Sequence, residues 1–248
     1  MNIIVLDTET TSLDKPFCYN VGYVIANSDT MEVYVEKDFV VEQIWHNPPL
    51  FSTAYYANKR PLYVKELRAK RTVLKKWGYI MQEMKRDIAK YNVEIAYAYN
   101  SPFDDKVFDY NCKWFRTYNP LDTIPIYDIR AYAIKAYVDD DYKTWCNDNG
   151  YYTDSGNYST TAENMYRYLF DENFEEAHTA LADSKIELDI LLGAKNEGVD
   201  ITIDEKPPRS VEREVTKTLT IKNGSTELFS VNYKKITISK DKQTITIR

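Results

Sequence analysis

Residues 2–10 read NIIVLDTET, an unbroken apolar run that ends on two acids. A strand with one wet face alternates apolar and polar residues. A continuous run marks a central strand covered on both faces. Such a strand needs a layer on each side, which excludes a single-layer sheet and an all-helical bundle. The segments that follow fill in those layers. YNVGYVIA and MEVYVEKDFVV flank the turn residues Asn27, Ser28 and Asp29 and predict an antiparallel hairpin beside the first strand. VEIAYAYN and IPIYDI read as further strands, alternating with helical stretches: a basic one from Lys59 to Lys90, one from about Ser101, and one through RAYAIKAYV. A polar loop around Asp148 to Tyr158 precedes a helix whose start has the form of a capping box, with Thr160 as cap and Glu163 three residues on. A last helix runs from about Thr179 to Asn196. The expected class is α/β, a mixed sheet flanked by helices.

Composition changes after Gly198. DEKPPRS has the character of a linker, and beyond it the chain reads in twos, TKTLTIKNGSTELFSV and then KKITISKDKQTITIR. These predict two hairpins, the first turning at Asn223 and Gly224. The expected division is residues 1–198 and a small β-hairpin extension over 199–248.

Other features narrow the function. No run approaches the ~18 apolar residues of a membrane span, and MNIIVLDTET lacks the features of a signal peptide, so a cytoplasmic protein without membrane contact is expected. Three cysteines, Cys18, Cys112 and Cys146, lie far apart without CxxC spacing, against a disulfide framework or a zinc site. The formal net charge of −6 argues against a protein that coats nucleic acid. Lys59 to Lys90 nevertheless holds eleven Lys and Arg against Glu66, Glu83 and Asp87, which fits either a polyanion-facing surface or a solvated helix face.

Three places carry candidate chemistry. Asp7 and Glu9 are two apart on the first strand and so share a face, where they repel each other and lose water; a divalent cation relieves both costs. Taken alone, the pair fits equally a strand that ends in solvated side chains. In YNSPFDD, the segment Ser101 to Asp104 looks like a helix start with a Ser cap and Pro in the first turn. The same placement puts Asp104 at the carboxyl edge of the sheet, where open α/β folds hold their sites. In HTALADS, His178 and Asp183 are five apart and differ by roughly 140° on a helix, so they cannot act as the paired ligands of one helix face. His178 is expected at the helix entrance, leaning toward the site, and Asp183 one turn inside on the apolar stripe of Ile186 and Ile190. By itself His178 fits a capping or core histidine as well.

Together, D-x-E on the first strand, Asn-x-x-Phe-Asp after a later strand and His-x-Ala-x-x-Asp on a late helix resemble the DEDDh family of 3′-to-5′ exonucleases. DTETTSLD is close to that family's DTETTGL, with Ser12 in place of Gly, and the resemblance covers about residues 1–196. It implies a ribonuclease H-like fold and a two-metal-ion phosphodiesterase that hydrolyses nucleic acid, DNA foremost, from the 3′ end to nucleoside 5′-monophosphates. It implies that Asp7, Glu9, Asp104 and Asp183 hold two Mg²⁺ or Mn²⁺ ions, one through Asp7, Glu9 and Asp183 and the other mainly through Asp7 and Asp104. His178 is then the general base, and Thr10, Thr11, Leu13 and Phe103 meet the terminal nucleotide. A 3′ end, single-stranded rather than duplex, is the expected partner, and the resemblance is compatible with a polymerase or other replication partner. An RNA-trimming exoribonuclease of the same family and a non-catalytic nucleic-acid-binding module are the alternatives.

Overall fold

In a computed structural model of the chain, the described residues are 1–213 together with the backbone of strands at 217–223, 226–233, 236–238 and 245–247. They divide into two compact units, Met1–Gly150 with Thr160–Arg209, and Tyr151–Ser159 with Ser210–Arg248.

The first unit runs β1 (Asn2–Thr10), β2 (Cys18–Asn27), β3 (Val33–Val41), the short helices α1 (Glu42–Trp45) and α2 (Pro48–Phe51), α3 (Arg60–Arg68), β4 (Val73–Lys75), α4 (Trp77–Lys90), β5 (Ile95–Ala98), α5 (Ser101–Phe115), β6 (Ile126–Asp128), α6 (Ile129–Tyr137), α7 (Asp140–Asn149), α8 (Ala162–Leu169) and α9 (Ala180–Asn196). Six strands form one sheet in the order β4-β3-β2-β1-β5-β6. β1 pairs antiparallel with β2 and β2 with β3, whereas β1/β5, β5/β6 and β3/β4 are parallel. The carboxyl ends of β1, β5 and β6 therefore lie at one edge of the sheet. Ile3, Ile4, Val5 and Leu6 are fully buried, as a strand covered on both faces requires. A large core containing Tyr19, Tyr23, Trp77, Met81 and Phe108 packs against the sheet, and α9 packs against β1, β2 and α6.

Several local details differ from the sequence reading. Ser101 is the first helical residue of α5 rather than its cap; Asn100 precedes it in the left-handed region, φ 65°, without a side-chain cap. The turn is held instead by Asp128, whose Oδ1 accepts from the backbone N–H of Asn100 (2.9 Å) and of Arg130 (2.9 Å), tying the end of β6 to the start of α5. At α8 the cap is Thr161, accepting from the Asn164 N–H at 3.3 Å, not Thr160. The basic stretch contains the strand β4 between two helices, and α7 fills the segment between the helix through RAYAIKAYV and the loop, ending two residues into that loop.

Residues 199–209 belong with the first unit. The Tyr97 hydroxyl donates to the Ile201 carbonyl (2.7 Å), the Tyr132 hydroxyl to that of Ile203 (2.8 Å), and Arg130 to that of Pro208 (3.1 Å), while Ile201 itself is buried. The division expected at residue 198 thus falls eleven residues later by contacts, and Tyr151–Ser159 joins the second unit. That unit carries two antiparallel pairs, β7 (Lys217–Asn223) with β8 (Thr226–Tyr233) and β9 (Ile236–Ile238) with β10 (Ile245–Ile247), as the period-two pattern predicts. It also holds isolated bridges from Tyr158 to Tyr152 and Val211.

Candidate active site

β1 brings two acids to the sheet edge. Asp7 is half-buried and Glu9 buried, and Glu9 accepts from the Tyr19 hydroxyl at 3.2 Å. Between them Thr8 donates its hydroxyl to Asp104 Oδ1 at 2.7 Å, which ties the end of β1 to the first turn of α5. Asp104 is only 2% exposed, so this bond fixes a carboxylate that water scarcely reaches.

The fourth acid arrives with α9, and a glycine lets it in. Gly22 lies opposite Asp7 in the β1/β2 register. A Cβ on Gly22 would lie 2.5 Å from the Ala180 carbonyl oxygen and closer still to the Leu181 nitrogen and the Ala180 carbonyl carbon, so only glycine allows α9 to rest its first turn on the strand. That turn is anchored through Asn20 on β2. Asn20 is fully buried; its Oδ1 accepts from the Ala180 N–H (2.9 Å) and the Tyr63 hydroxyl (2.9 Å), and its Nδ2 donates to Asp38 (2.6 Å) and the Phe39 carbonyl (3.0 Å). Thr179 makes no side-chain cap, so the strand supplies the acceptor that the helix start lacks. Ser184 completes the contact, donating to the carbonyls of Gly22 (3.2 Å) and Ala180 (2.6 Å). Asp183 is buried in this first turn, and its Oδ1 has no hydrogen-bond partner among the described residues. Asp104 and Asp183 both sit in helix first turns, where the free N–H groups and macrodipole favour negative charge.

His178 lies two residues before α9 with a left-handed backbone, φ 49°, so it is off the helix and free of the helical phase that would turn it from Asp183. One ring nitrogen of His178 and one oxygen each from Glu9 and Asp183 lie within 4.8 Å of one another. The ring stacks on Tyr56 (4.3 Å between centroids, 16°), with Nε2 3.2 Å from the Tyr56 hydroxyl and Nδ1 3.2 Å from Glu176 Oε2. Lys59 donates to the Ala177 carbonyl. Glu163, paired with Arg167 at 2.7 Å, accepts from the Glu176 N–H at 3.1 Å and so holds the segment before His178, instead of closing a capping box.

The acids are crowded and short of counter-charge. Burial, then the charge of Asp7, pushes Glu9 and Asp104 well above the usual carboxylate range, against the hydrogen bonds from Tyr19 and Thr8 respectively. Asp183 is raised by burial, then by Asp7, Glu176 and Glu9, and Asp7 by burial and then Glu176. Lys59 opposes this at Glu9 and Asp183 but is engaged by Ala177. Burial, then Glu163, pushes Glu176 up to about 7. His178 is lowered by burial and then by Lys59, which favours the neutral imidazole. Carboxylates raised together, with one buried oxygen left unpartnered, form a site that a cation would complete. Four carboxylates with oxygen donors fit a hard divalent ion such as Mg²⁺ or Mn²⁺.

Beside these groups opens a cleft of about 470 Å³ lined by Thr8, Glu9, Thr10, Thr11, Ser12, Leu13, Thr53, Tyr55, Tyr56 and Phe103. All four residues expected to meet the terminal nucleotide are on its wall. Leu13 (75% exposed) and Tyr55 (88%) stand in solvent, Phe103 is half-buried, and Thr11 is buried.

No protein-family model matches the sequence, and no curated protein is significantly similar to it. Solved structures are similar in fold. Exonuclease I of E. coli in complex with a dT13 oligonucleotide aligns at TM-score 0.53 and 15% identity, over 79% of this chain and 41% of that one. The nuclease domain of 3′hExo, a DEDDh family member bound to rAMP, aligns at TM-score 0.53 and 15% identity over 85% and 97% of the two chains. A 3′-exonuclease that recognises the histone mRNA stem-loop aligns at TM-score 0.57 and 13% identity over 84% and 95%. The chain has the fold of the DEDDh exonucleases. It spans less than half the length of the Exonuclease I it matches.

Within this exonuclease fold, several residues at the site carry no signal in the sequence reading. Glu187 is a fifth carboxylate, itself buried, one turn beyond Asp183 on α9, accepting from the Tyr99 N–H at 3.3 Å and raised by burial and then by Asp7, Asp104 and Asp183. Its i+4 spacing from Asp183, on a stripe otherwise apolar, was the available clue. Glu176 sits in an irregular segment with no period, and Tyr56 is one of 22 tyrosines.

Proposed function

We propose that this chain is a divalent-metal-dependent 3′-to-5′ exonuclease that releases nucleoside 5′-monophosphates, with single-stranded DNA as the first substrate to test. What supports this reading is that one oxygen each of Glu9 and Asp183 and a ring nitrogen of His178 lie within 4.8 Å of one another, that the charge of Asp7 raises both Asp104 and Asp183, and that Glu9 also lines a cleft of about 470 Å³. Divalent cations held by the four acids would neutralise charge at the phosphorus and make the attacking water more acidic.

The protein's own groups do the rest. Glu176 facing Nδ1 holds the His178 proton there and leaves Nε2 as the acceptor for the proton of water. The depressed affinity of His178 for protons keeps that acceptor free at neutral pH. In the present arrangement Nε2 meets the Tyr56 hydroxyl, a contact that substrate and its water replace. Thr10, Thr11 and the exposed Leu13 present backbone groups and an apolar edge to the terminal nucleotide, with Phe103 opposite. Folds of this type occur in a protein crystallised with dT13 and in others bound to rAMP or recognising a histone mRNA stem-loop, so RNA is the second reading.

The test is digestion of 5′-labelled single-stranded DNA, duplex DNA and RNA side by side with Mg²⁺. A ladder shortening by single nucleotides from the 3′ end, abolished by EDTA and restored by Mg²⁺, is expected. Absence of digestion of all three, or digestion indifferent to EDTA, would sink the proposal.

A further inference from the structure

α5 carries an aromatic stripe that begins at the cleft and continues beyond it. Phe103, Lys106, Tyr110 and Trp114 are spaced by three and four residues and share one face of the helix. Phe103 lines the cleft. Lys106 donates to the Leu13 carbonyl at 2.8 Å, so the cleft's apolar lip is tied to this face. Phe17, at the other end of the same loop, packs edge-on against Tyr110 (5.2 Å, 78°) and Trp114 (5.0 Å, 87°). The rings of Tyr110 and Trp114 lie within 15° of parallel, with centroids 6.4 Å apart. Trp114 is 62% exposed, and Lys113, next to it in sequence, and Lys15, two residues before Phe17, are exposed as well. Asp105 and Asp109 project roughly 180° and 140° from Trp114 around the helix; Asp109, which lies nearer the Lys106 and Lys113 side, accepts from the Asn119 amide at 3.0 Å.

Resting on the exonuclease reading, we propose that this stripe is the path of the single strand upstream of the terminal nucleotide, with a base stacked on Trp114 and phosphates near Lys106 and Lys113. From Phe103 to Trp114 the stripe runs about 16 Å along the helix axis, a span of several nucleotides beyond the cleft. A large flat ring held from beneath by Phe17 and open to solvent is a sequence-tolerant stacking platform. Lysines beside it supply the salt-dependent phosphate attraction that accompanies such platforms. The loop from Leu13 to Phe17 joins the lip of the cleft to the ring contacts of Trp114.

The experiment compares the full chain with Trp114→Ala and Trp114→Phe. Binding of fluorescein-labelled dT12 is followed by anisotropy with Ca²⁺ in place of Mg²⁺, and KM is measured in Mg²⁺ for dT12 and for a dinucleotide. Trp114→Ala should weaken dT12 binding by about 5- to 150-fold, the range of one lost base stack. Trp114→Phe should recover much of it, and the advantage in KM of dT12 over the dinucleotide should collapse in the Ala variant. Equal dT12 affinity in wild type and Trp114→Ala overturns the proposal and leaves the exonuclease reading intact. No dT12 binding by the wild type overturns it too. Trp114-dependent binding by a wild-type protein that cleaves nothing upholds the strand path while refuting the exonuclease reading. A change of oligomeric state in Trp114→Ala with dT12 affinity unchanged would make this face a protein contact and overturn the proposal.

Discussion

Gly22→Ala should disable both the fold and the site, because one methyl group falls where α9 crosses β2. The added Cβ would lie 2.5 Å from the Ala180 carbonyl oxygen, against 3.4 Å for ordinary van der Waals contact, and nearer still to two other backbone atoms. The obstruction is backbone on both sides, so no rotamer change relieves it, and α9 must retreat by at least the 0.9 Å difference. Overpacking a core costs about 1–3 kcal/mol where side chains can adjust, and the upper end applies here. Loss of the Ser184 hydroxyl bond to the Gly22 carbonyl adds about 1 kcal/mol. For a unit of this size, 3–4 kcal/mol corresponds to a fall in Tm of roughly 6–16 °C. Asp183 moves with the helix, and a displacement near 1 Å costs on the order of 10²-fold in rate where geometry sets catalysis. Thermal unfolding followed by circular dichroism and Mn²⁺ titration calorimetry read the two effects. Gly78→Ala is the control, since its Cβ would meet only the Thr117 methyl at 3.2 Å within a helix, and it should be neutral or slightly stabilising. A Gly22→Ala protein that melts within about 1 °C of wild type would refute the argument that this glycine positions Asp183.

Four further outcomes are expected. Asp7→Asn should abolish nucleotide release and Mn²⁺ heat while leaving the Tm of the metal-free protein equal or higher, since it removes one charge from a group that raises Glu9, Asp104 and Asp183; a lower apo Tm with normal turnover would contradict it. His178→Ala should slow hydrolysis by roughly 10²- to 10⁴-fold with Mn²⁺ affinity nearly unchanged, and a large loss of affinity by calorimetry would make His178 a ligand, a role its distance to Glu9 and Asp183 permits. Glu176 is raised from 4.5 to about 7, so the folded protein holds that proton longer than the unfolded chain; its contribution is favourable below pH ~4.5 and is lost as pH rises through about 7. Glu176→Gln should therefore flatten the pH 4.5 to 7 dependence of metal-free stability by about 3 kcal/mol, and denaturant midpoints that shift with pH as in wild type would exclude this. Truncation after Gly198 removes buried Ile201 and the carbonyls that satisfy Tyr97 and Tyr132, so it should destabilise the first unit by about 2–5 kcal/mol, whereas a cut after Arg209 spares those contacts; equal melting of the two truncations would refute the assignment of 199–209.

What could be read from the sequence was what is encoded within a few residues. The central strand is legible because burial on both faces leaves no polar position between Ile3 and Leu6, and the D-x-E pair follows from strand period alone. Asp104 was legible as a helix-start acid at a sheet edge, although its helix cap was not: Asp128, twenty-eight residues after Asn100, supplies the acceptor for the turn. Thr160 and Thr161 are equally competent caps by composition, and only the path of the backbone selects Thr161. The boundary near residue 198 was misplaced by composition because residues 199–209 are held largely through their carbonyls, which every residue type provides. The second ring of the site was invisible for a related reason. Tyr56 reaches His178 across 122 residues, and Asn20 caps α9 across 160, distances over which no periodicity survives. The site is therefore assembled by packing. Strand order sets β5 beside β1, a glycine on β2 lets α9 touch the sheet, and Asn20 replaces the missing helix cap. The acids repel one another, so none of these contacts is owed to the carboxylates; the scaffold forces them together. A sequence in which Gly22 or Asn20 were lost could keep every acid and still lose the geometry that gathers them.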